Sequence, residues 1–281
     1  MKGFGDKVAV ITGAGSGIGR ALAVDLAGRG ARLALSDIDA DGLAETATLC
    51  KTIGAQATTY VLDVADRDAV YANAEEVLGA FGAVNLVINN AGVALTARVE
   101  EMSWEDFEWV MNIDFWGVAY GTKAFLPHLI ASGDGHLVNL SSVFGLIGTP
   151  TQSAYNAAKF AVRGFTEALR QEMRIAGHPV GVSCVHPGGI KTDIARNMRG
   201  LNAVNHEKVT AAFDRYAWTT AQRAATVILR GVERNSARIL IGADAYGYDL
   251  TPRLLGGRYQ DLNAFVARLG SAQAAKRGLE L

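Results

Sequence analysis

The sequence predicts an α/β protein built on one doubly wound parallel sheet of about seven strands, with helices on both faces. Short apolar runs alternate with helical segments along most of the 281 residues, which is typical of a parallel sheet covered on both sides. The first run leads into four glycines, Gly13, Gly15, Gly17 and Gly19, and then into a helical segment. A strand, a tight glycine turn and a helix form the first unit of such a sheet. We expect a single domain, because no linker rich in Pro or Ser interrupts the chain.

The elements follow from the lengths of the apolar runs and from helical spacing between them. The predicted strands are Lys7–Ile11, Arg32–Ser36, Gln56–Leu62, Asn85–Asn89, His136–Leu140, Val180–His186 and Arg238–Ile241. The predicted helices include Asp39–Ile53, Asp66–Phe81, Trp104–Ile130, Ser153–Ala176 and Thr219–Asn235. Right-handed crossovers between parallel strands would place these helices on the two faces of the sheet.

Two segments lie outside this alternation. Residues 191–217, within a domain predicted at 1–249, show no strand pattern and suit a mobile flap over a site. Residues 250–281 carry apolar residues at helical spacing. We expect this C-terminal extension to pack on its own domain or at a subunit interface; pocket closure and attachment to a membrane surface are the alternatives.

Composition argues against several classes of function. The net charge is -1 and no basic block stands out, so we expect no nucleic-acid partner. Cys50 and Cys184 are isolated, which indicates neither a disulfide framework nor a metal site. No apolar run has the length of a membrane span or of a signal core. We therefore expect a cytoplasmic protein that holds no metal.

The glycine-rich turn is suited to holding a pyrophosphate, because backbone N–H groups and a helix N-terminus attract phosphate oxygens. Ile18 stands where the more common dinucleotide pattern has its last glycine. Asp37 ends the second predicted strand, where a carboxylate can accept hydrogen bonds from ribose hydroxyls and would repel a 2′-phosphate. The alternative role for Asp37 is a helix N-cap, although Asp39 could fill that role.

Tyr155 and Lys159 are four residues apart in a predicted helix, so their side chains share one face. A tyrosine hydroxyl has an unperturbed pKa of about 10, and a nearby positive charge favours the phenolate. The pair is therefore suited to proton transfer near neutral pH. The same spacing is common on solvated helix faces, and the glycine-rich turn favours the catalytic interpretation.

Together these motifs resemble those of the short-chain dehydrogenase/reductase family. Residues Thr12–Gly19 resemble its cofactor loop, Asn89–Gly92 its central-strand motif, and Pro187–Thr192 its Pro-Gly-x-x-x-Thr stretch. The motifs follow the family's order over residues 5–195. The resemblance implies a Rossmann-like sheet with strand order 3-2-1-4-5-6-7 and a homotetramer or dimer built on the long fifth and sixth helices.

The resemblance also implies a catalytic set. Ser142 would hydrogen-bond the substrate oxygen, and Tyr155 would accept or donate the alcohol proton. Lys159 would lower the pKa of the tyrosine and bind the nicotinamide ribose, while hydride passes between the substrate carbon and the nicotinamide. Ser141 is the rival for the serine role, but the family spacing of thirteen residues before Tyr155 favours Ser142.

The implied cofactor is NAD, because relatives that prefer NADP usually have a basic residue in the glycine loop, where this chain has Ser16, or just after the second strand. Asp63 and Val64 resemble the pair that contacts adenine, and Ile190 and Thr192 would hold the carboxamide. The expected cofactor-binding residues are Gly13, Ser16, Gly17, Ile18, Gly19, Asp37, Asp63, Val64, Asn90, Ala91, Gly92, Tyr155, Lys159, Pro187, Gly188, Ile190 and Thr192.

Asp114 departs from the family pattern, which has an Asn on the long helix after Asn-Asn-Ala-Gly. Asn112 cannot take its place, because two helical residues correspond to about 200° of rotation. Asp114 could still hold a water that relays protons to Lys159. As a carboxylate it would also stabilise the Lys159 cation and partly cancel its effect on Tyr155. We therefore expect an active enzyme whose pH optimum for oxidation is displaced to alkaline values.

The substrate pocket expected by analogy is mostly apolar, with no Arg or Lys at an obvious place to clamp an anion, although Arg196 and Arg199 on the flap could meet one. The expected lining residues are Val93, Leu95, Phe144, Gln152 and Met198. The sequence thus predicts an NAD-dependent oxidoreductase, an alcohol dehydrogenase or carbonyl reductase, acting on a hydrophobic secondary alcohol or ketone. The alternatives are a sensor or scaffold that binds NAD without turnover, and an epimerase or dehydratase on the same scaffold.

Overall fold

Seven parallel strands form one sheet in the order β3-β2-β1-β4-β5-β6-β9 in the computed structural model, which describes residues 1–200, 210–211, 213, 215 and 217–276. The strands are β1 Val8–Thr12, β2 Arg32–Asp37, β3 Ala57–Val61, β4 Leu86–Asn89, β5 Gly135–Leu140, β6 Val180–Pro187 and β9 Arg238–Ile241. The predicted order is confirmed, since β9 is the strand predicted as the seventh.

The helices of the described residues lie between and after these strands. They are α1 Gly17–Gly28, α2 Ala40–Thr52, α3 Arg67–Phe81, α4 Trp104–Met111, α5 Gly117–Ala131, α6 Ser153–Ile175, α7 Ala221–Glu233, α8 Ala243–Leu255 and α9 Tyr259–Lys276. Helices α1, α2 and α7 bury their apolar residues against one face of the sheet, and α3, α5 and α6 against the other. The central strands β1, β4 and β5 are buried throughout, which explains why they are continuous apolar runs. The sheet and its helices make a single Rossmann-like domain.

The predicted helix Trp104–Ile130 is interrupted in the structure. Residues Asn112–Trp116 form a π-helical turn between α4 and α5, although the backbone angles on both sides of the turn are ordinary helical ones. A π turn adds one residue to a helical turn and is frequent at functional sites. Asp114 is in the middle of this turn.

The flap and the C-terminal extension also differ from expectation. Two short strands flank the segment 191–217 and overlap it only at Lys191: β7, Ile190–Lys191, pairs with β8, Thr219–Thr220. The predicted flap residues 201–209, 212, 214 and 216 lie outside the described residues. Helix α8 crosses the predicted boundary between residues 249 and 250, so the chain has no structural break there; residues 277–281 also lie outside the described part.

In the part of the chain that the structure describes, no helix is long and apolar enough to span a membrane. Among the same residues, no cluster of His, Cys, Asp and Glu has the geometry of a metal site.

Candidate active site

The glycine turn after β1 has no room for larger side chains. Gly13 and Gly17 have φ angles of 65° and 52°, which favour glycine. A Cβ atom at Gly19 would lie 2.0 Å from the carbonyl oxygen of Gly13. Helix α1 begins at Gly17, and no side chain caps its first N–H groups. These N–H groups can therefore face an anionic ligand such as a pyrophosphate.

Asp37 is held at the end of β2. Its Oδ2 accepts a hydrogen bond from the Gly15 N–H at 2.7 Å and its Oδ1 from the Asp39 N–H at 3.0 Å. Asp39 is the N-cap of α2, with its side chain accepting from the N–H groups of Asp41 and Gly42. The alternative role of Asp37 as the cap is thereby excluded, and its carboxylate lies against the glycine turn.

Asn90 connects the end of β4 to the turn. Its Nδ2 donates to the carbonyl oxygens of Thr12 at 2.9 Å and Gly13 at 3.0 Å, and its own N–H donates to the Thr12 hydroxyl at 3.0 Å. Ala91 donates to the same hydroxyl at 3.1 Å. Strands β1 and β4 are neighbours at the point where the strand order reverses, which is where open α/β sheets bind ligands.

The predicted adenine-side pair lies after β3. Asp63 is exposed and its Oδ1 accepts from the Ala65 N–H at 2.9 Å. Val64 is 8% exposed, and a Cβ at Gly117 would lie 2.8 Å from its Cγ2. Val64 is thus packed closely against the start of α5.

Ser142 and Tyr155 meet at the carboxyl end of β5, each 8% exposed. The Ser142 hydroxyl accepts from the Phe144 N–H at 3.1 Å, and its proximity to Tyr155 acts to lower the pKa of the phenol. Ser141 instead donates to the carbonyl oxygen of Lys159 at 2.8 Å. This contact secures α6, so Ser141 is engaged in structure and Ser142 is the serine at the tyrosine.

Lys159 is 4% exposed and approaches Tyr155, with Nζ 5.4 Å from the ring centroid. Its Nζ also lies 3.2 Å from Asp114 Oδ2. The other Asp114 oxygen accepts from the Val93 N–H at 2.7 Å, and the residue is 0% exposed. The π turn therefore aims Asp114 at Lys159, and the two form a buried ion pair beside the tyrosine.

The environment of these three groups sets their proton affinities. Burial raises the pKa of Tyr155; the Lys159 cation opposes this effect, and the Asp114 carboxylate adds to it. Burial alone would lower the pKa of Lys159, but the nearby Asp114 and Tyr155 hold that pKa above its ordinary value. Burial raises the pKa of Asp114, against the opposing effects of Lys159 and the Val93 N–H. The pair keeps Lys159 charged and weakens its effect on the tyrosine.

The residues predicted for the substrate pocket are only partly exposed. Phe144 packs edge-on against Tyr155, with ring centroids 6.1 Å apart. Gln152 donates to the Thr96 hydroxyl at 2.6 Å, and that hydroxyl lies 3.6 Å from Met198 Sδ. Val93 is near the site through its contact with Asp114, described above. Leu95 is 1% exposed and lies in the small core around Tyr155. It therefore packs beneath the predicted pocket and has almost no exposed surface of its own.

Both flap arginines have acidic neighbours. Arg199 stacks on Trp109, with its guanidinium carbon 4.0 Å from the ring centroid, and lies 3.6 Å from Asp106. Arg196 pairs with Asp193 at 2.6 Å. These contacts agree with the expectation that neither arginine clamps an anionic substrate.

The segment that the sequence predicts to hold the nicotinamide follows β6. Ile190 is 4% exposed. The Thr192 side chain lies across the glycine turn, since a Cβ at Gly17 would be 3.1 Å from its Cγ2. A groove of about 860 Å³ runs from Gly17 and Thr192 along α1 towards Ile53. It does not include Ser142 or Tyr155, so it is separate from the catalytic set.

Two contacting residues were missed by the sequence reasoning. Arg20 donates to the Gly15 carbonyl oxygen and to the Thr46 hydroxyl, which ties the glycine turn to α2. Asp244 accepts from the Gly189 N–H at 2.8 Å. Neither has a local sequence signal, because their partners are brought together only by the fold.

Comparison with known proteins agrees with this geometry. The family model described as short chain dehydrogenase matches residues 7–201. SadH of Mycobacterium tuberculosis is 55% identical over 265 residues, which are 94% of this chain and 96% of SadH. Estradiol 17-beta-dehydrogenase 11 of Mus musculus is 36% identical over 197 residues, 70% of this chain and 66% of that protein. A short chain dehydrogenase/reductase from Burkholderia phymatum, solved in complex with NAD, aligns with a TM-score of 0.84 at 33% identity, covering 94% of this chain and 96% of its own.

Proposed function

Because this chain belongs to the short-chain dehydrogenase family, we propose that it is an NAD-dependent alcohol dehydrogenase or carbonyl reductase. It transfers a hydride between the nicotinamide and a hydrophobic secondary alcohol or ketone. The observation that carries the proposal is the convergence of Ser142, Tyr155 and Lys159 in one buried cluster. This cluster is at the same edge of the sheet as the glycine turn.

The cofactor cradle fits a dinucleotide. The uncapped N-terminus of α1 and the tight approach at Gly19 leave backbone N–H groups for a pyrophosphate. Asp37 would accept hydrogen bonds from the adenosine ribose, and Lys159 would bind the nicotinamide ribose. When bound, the nicotinamide supplies the hydride acceptor or donor.

Ser142, Tyr155 and Lys159 would then carry out the proton transfer. In oxidation, Ser142 orients the alcohol oxygen and Tyr155 as phenolate accepts the hydroxyl proton; in reduction, Tyr155 donates a proton to the developing alkoxide. The charge of Lys159 stabilises the phenolate. Burial excludes water from the proton transfer, because all three side chains are less than a tenth exposed.

NAD is the cofactor we propose in preference to NADP. A 2′-phosphate would approach the Asp37 carboxylate, and like charges in contact cost several kcal/mol. Support comes from the Burkholderia phymatum relative, which was solved with NAD.

The substrate that we propose is uncharged and apolar. The flap arginines are paired with Asp193 and Asp106, and apolar side chains such as Val93 and Phe144 surround the tyrosine. A relative that covers 70% of this chain is named for estradiol, a hydrophobic secondary alcohol. A cytoplasmic location and a homotetramer or dimer stay predictions.

The test is NADH formation with a panel of hydrophobic secondary alcohols at several pH values. Tyr155→Phe should lower kcat by about 10²- to 10⁴-fold, the usual contribution of a positioned acid or base. Tyr246→Phe, an exposed tyrosine on α8, is the matched control and should change little. Tight NAD binding by calorimetry without any turnover would favour the sensor or scaffold, and steady conversion of substrate without net NADH would favour the epimerase or dehydratase.

A further inference from the structure

We infer that helices α8 and α9 brace the two loops that border Tyr155, with Asp244 and Tyr259 as positioning residues. One loop follows β6 and carries the nicotinamide-side segment. The other follows β5 and runs from Ser142 towards α6. The brace is a property of the fold, and only its consequence for NAD and substrate rests on the proposed function.

Asp244, in the first turn of α8, holds the loop after β6. Its Oδ2 accepts from the Gly189 N–H at 2.8 Å. A Cβ at Gly188 would lie 2.1 Å from Oδ2, and one at Gly242 would lie 2.2 Å from Oδ1. Two glycines thus make room for this carboxylate. Gly189 directly precedes Ile190, so the contact sets the path of the backbone expected to hold the carboxamide.

Tyr259, the first residue of α9, holds the loop after β5. Its hydroxyl accepts from the Gly148 N–H at 3.1 Å, and Asn263 Nδ2 lies 3.4 Å from the Gly148 carbonyl oxygen. Gly148 is between Ser142 and Tyr155 in the sequence. We therefore expect that release of this loop at Gly148 would disturb the position of Ser142 relative to Tyr155.

The same loop is also held from the inside. Asn156, which is 8% exposed, accepts from the Thr149 N–H at 3.0 Å and donates to the Ile147 carbonyl oxygen at 2.8 Å. Asn156 is next to Tyr155 on α6. The loop is thus fastened between α6 and α9, and the α9 contact is the one that links it to the C-terminal helices.

Removing the Asp244 contact and removing the Tyr259 contact should impair different steps. Asp244→Ala should weaken NAD binding about threefold to tenfold, because the carboxylate is exposed and solvent screens part of its hydrogen bond to Gly189. Asp244→Asn retains an acceptor oxygen and should restore most of the affinity. Asp261→Ala is the matched control, since Asp261 is exposed in the first turn of α9 and should leave NAD binding unchanged. Calorimetry measures all four proteins without requiring turnover.

Tyr259→Phe should impair the reaction with the alcohol and leave NAD binding unaffected. We expect kcat/KM for the alcohol to fall about threefold to tenfold, the effect of one neutral hydrogen bond, with the affinity for NAD unchanged. Tyr246→Phe on α8 is the control for removal of a tyrosine hydroxyl.

Amide hydrogen exchange of the protein without cofactor tests directly whether Asp244 and Tyr259 hold the two loops. Exchange should rise in peptides containing Gly189 for Asp244→Ala and in peptides containing Gly148 for Tyr259→Phe. Unchanged exchange in both variants, or equal loss of NAD affinity in Asp261→Ala, would overturn the inference. A wild-type protein that binds no NAD would refute the proposed function, while the exchange data would still decide the brace.

Discussion

Asp114 is the residue whose charge bears most directly on the proposed general base, Tyr155. In the proposed mechanism oxidation needs the Tyr155 phenolate, and both burial and the Asp114 carboxylate raise the pKa of Tyr155. The limb of the pH–rate profile that reports the phenolate should therefore be found at alkaline pH. Because burial and the Asp114 carboxylate outweigh the opposing effect of the Lys159 cation on the pKa of Tyr155, the tyrosine is protonated at neutral pH, which is the form that the proposed reduction requires.

Asp114→Asn tests this account. The amide removes one cause of the raised pKa of Tyr155, so the alkaline limb of kcat/KM for oxidation should move to lower pH, with activity retained. The direction of this shift follows from the loss of the carboxylate charge, which disfavours the phenolate. Loss of nearly all activity in this variant would instead mean that the carboxylate is required for turnover.

Asp37 should determine the choice between NAD and NADP. In the wild-type structure the Gly15 N–H lies 2.7 Å from Asp37 Oδ2. In Asp37→Asn the amide oxygen can still accept this hydrogen bond, but the negative charge of the carboxylate is removed. The ratio of kcat/KM for NADP over NAD should rise about tenfold or more, because like charges no longer meet. Asp39→Asn is the control, since Asn caps a helix as well as Asp does. A wild-type protein that uses NADP as well as NAD would contradict the assignment.

At the residue scale, contacts between residues that are close in the sequence could be predicted, and contacts between distant residues could not. The one-face pairing of Tyr155 and Lys159 follows from helical geometry, and the structure places the two side chains together. The role of Asp39 as the N-cap could be stated only as an option, because two aspartates competed for it. Asp244 could not be predicted, because its partner Gly189 is 55 residues away and meets it only after folding.

At the scale of elements, the strands were the most predictable parts. Strand β9 was predicted with its observed ends, Arg238–Ile241, because a buried strand is a short apolar run with polar neighbours. The π turn was missed because Asn112–Trp116 contains no Gly or Pro. Tertiary contacts stabilise the π turn, because Asp114 in this turn contacts both Val93 and Lys159.

The turn from β1 to α1 allows a matched comparison within one helix. A Cβ at Gly19 would lie 2.0 Å from the Gly13 carbonyl oxygen and 2.7 Å from Asn90 Nδ2, whereas a Cβ at Gly28 meets nothing within 4 Å. Gly19→Ala should therefore lower the free energy of unfolding by about 1–3 kcal/mol or more and weaken NAD binding. Gly28→Ala should raise that free energy by roughly 0.5–1 kcal/mol. Urea denaturation and NAD calorimetry check both, and equal stabilities would refute the steric argument.

At the scale of the whole molecule, two buried histidines make stability depend on pH. His136 and His186 are both 0% exposed. Burial lowers the pKa of His136 to about 3 and that of His186 to about 4. The His186 Nδ1 contacts the Ser142 carbonyl oxygen at 2.9 Å, and His136 Nε2 contacts the Ser183 hydroxyl at 2.9 Å. Both rings are therefore neutral in the folded protein, at the two ends of the buried pair β5 and β6.

The consequence is a loss of stability in weak acid. In the unfolded chain both rings protonate near pH 6.5, whereas in the folded protein they stay neutral until about pH 4 or lower. The unfolded state thus binds more protons in this window, and stability falls as the pH decreases through it. Each ring should cost about 2 kcal/mol at pH 5 relative to pH 7, because 1.5 units of pH correspond to about that energy.

Urea midpoints at pH 7 and pH 5 measure this effect. We expect the wild-type protein to lose about 4 kcal/mol of unfolding free energy between these values, about 2 kcal/mol from each ring. The double variant His136→Asn, His186→Asn should be less stable at pH 7 and should lose much less on acidification, since neither amide titrates. His178→Asn, at an exposed position, should keep the wild-type dependence. If the double variant loses as much stability as the wild type, then the acid sensitivity comes from other groups, because removing both rings would have left the proton uptake of unfolding unchanged.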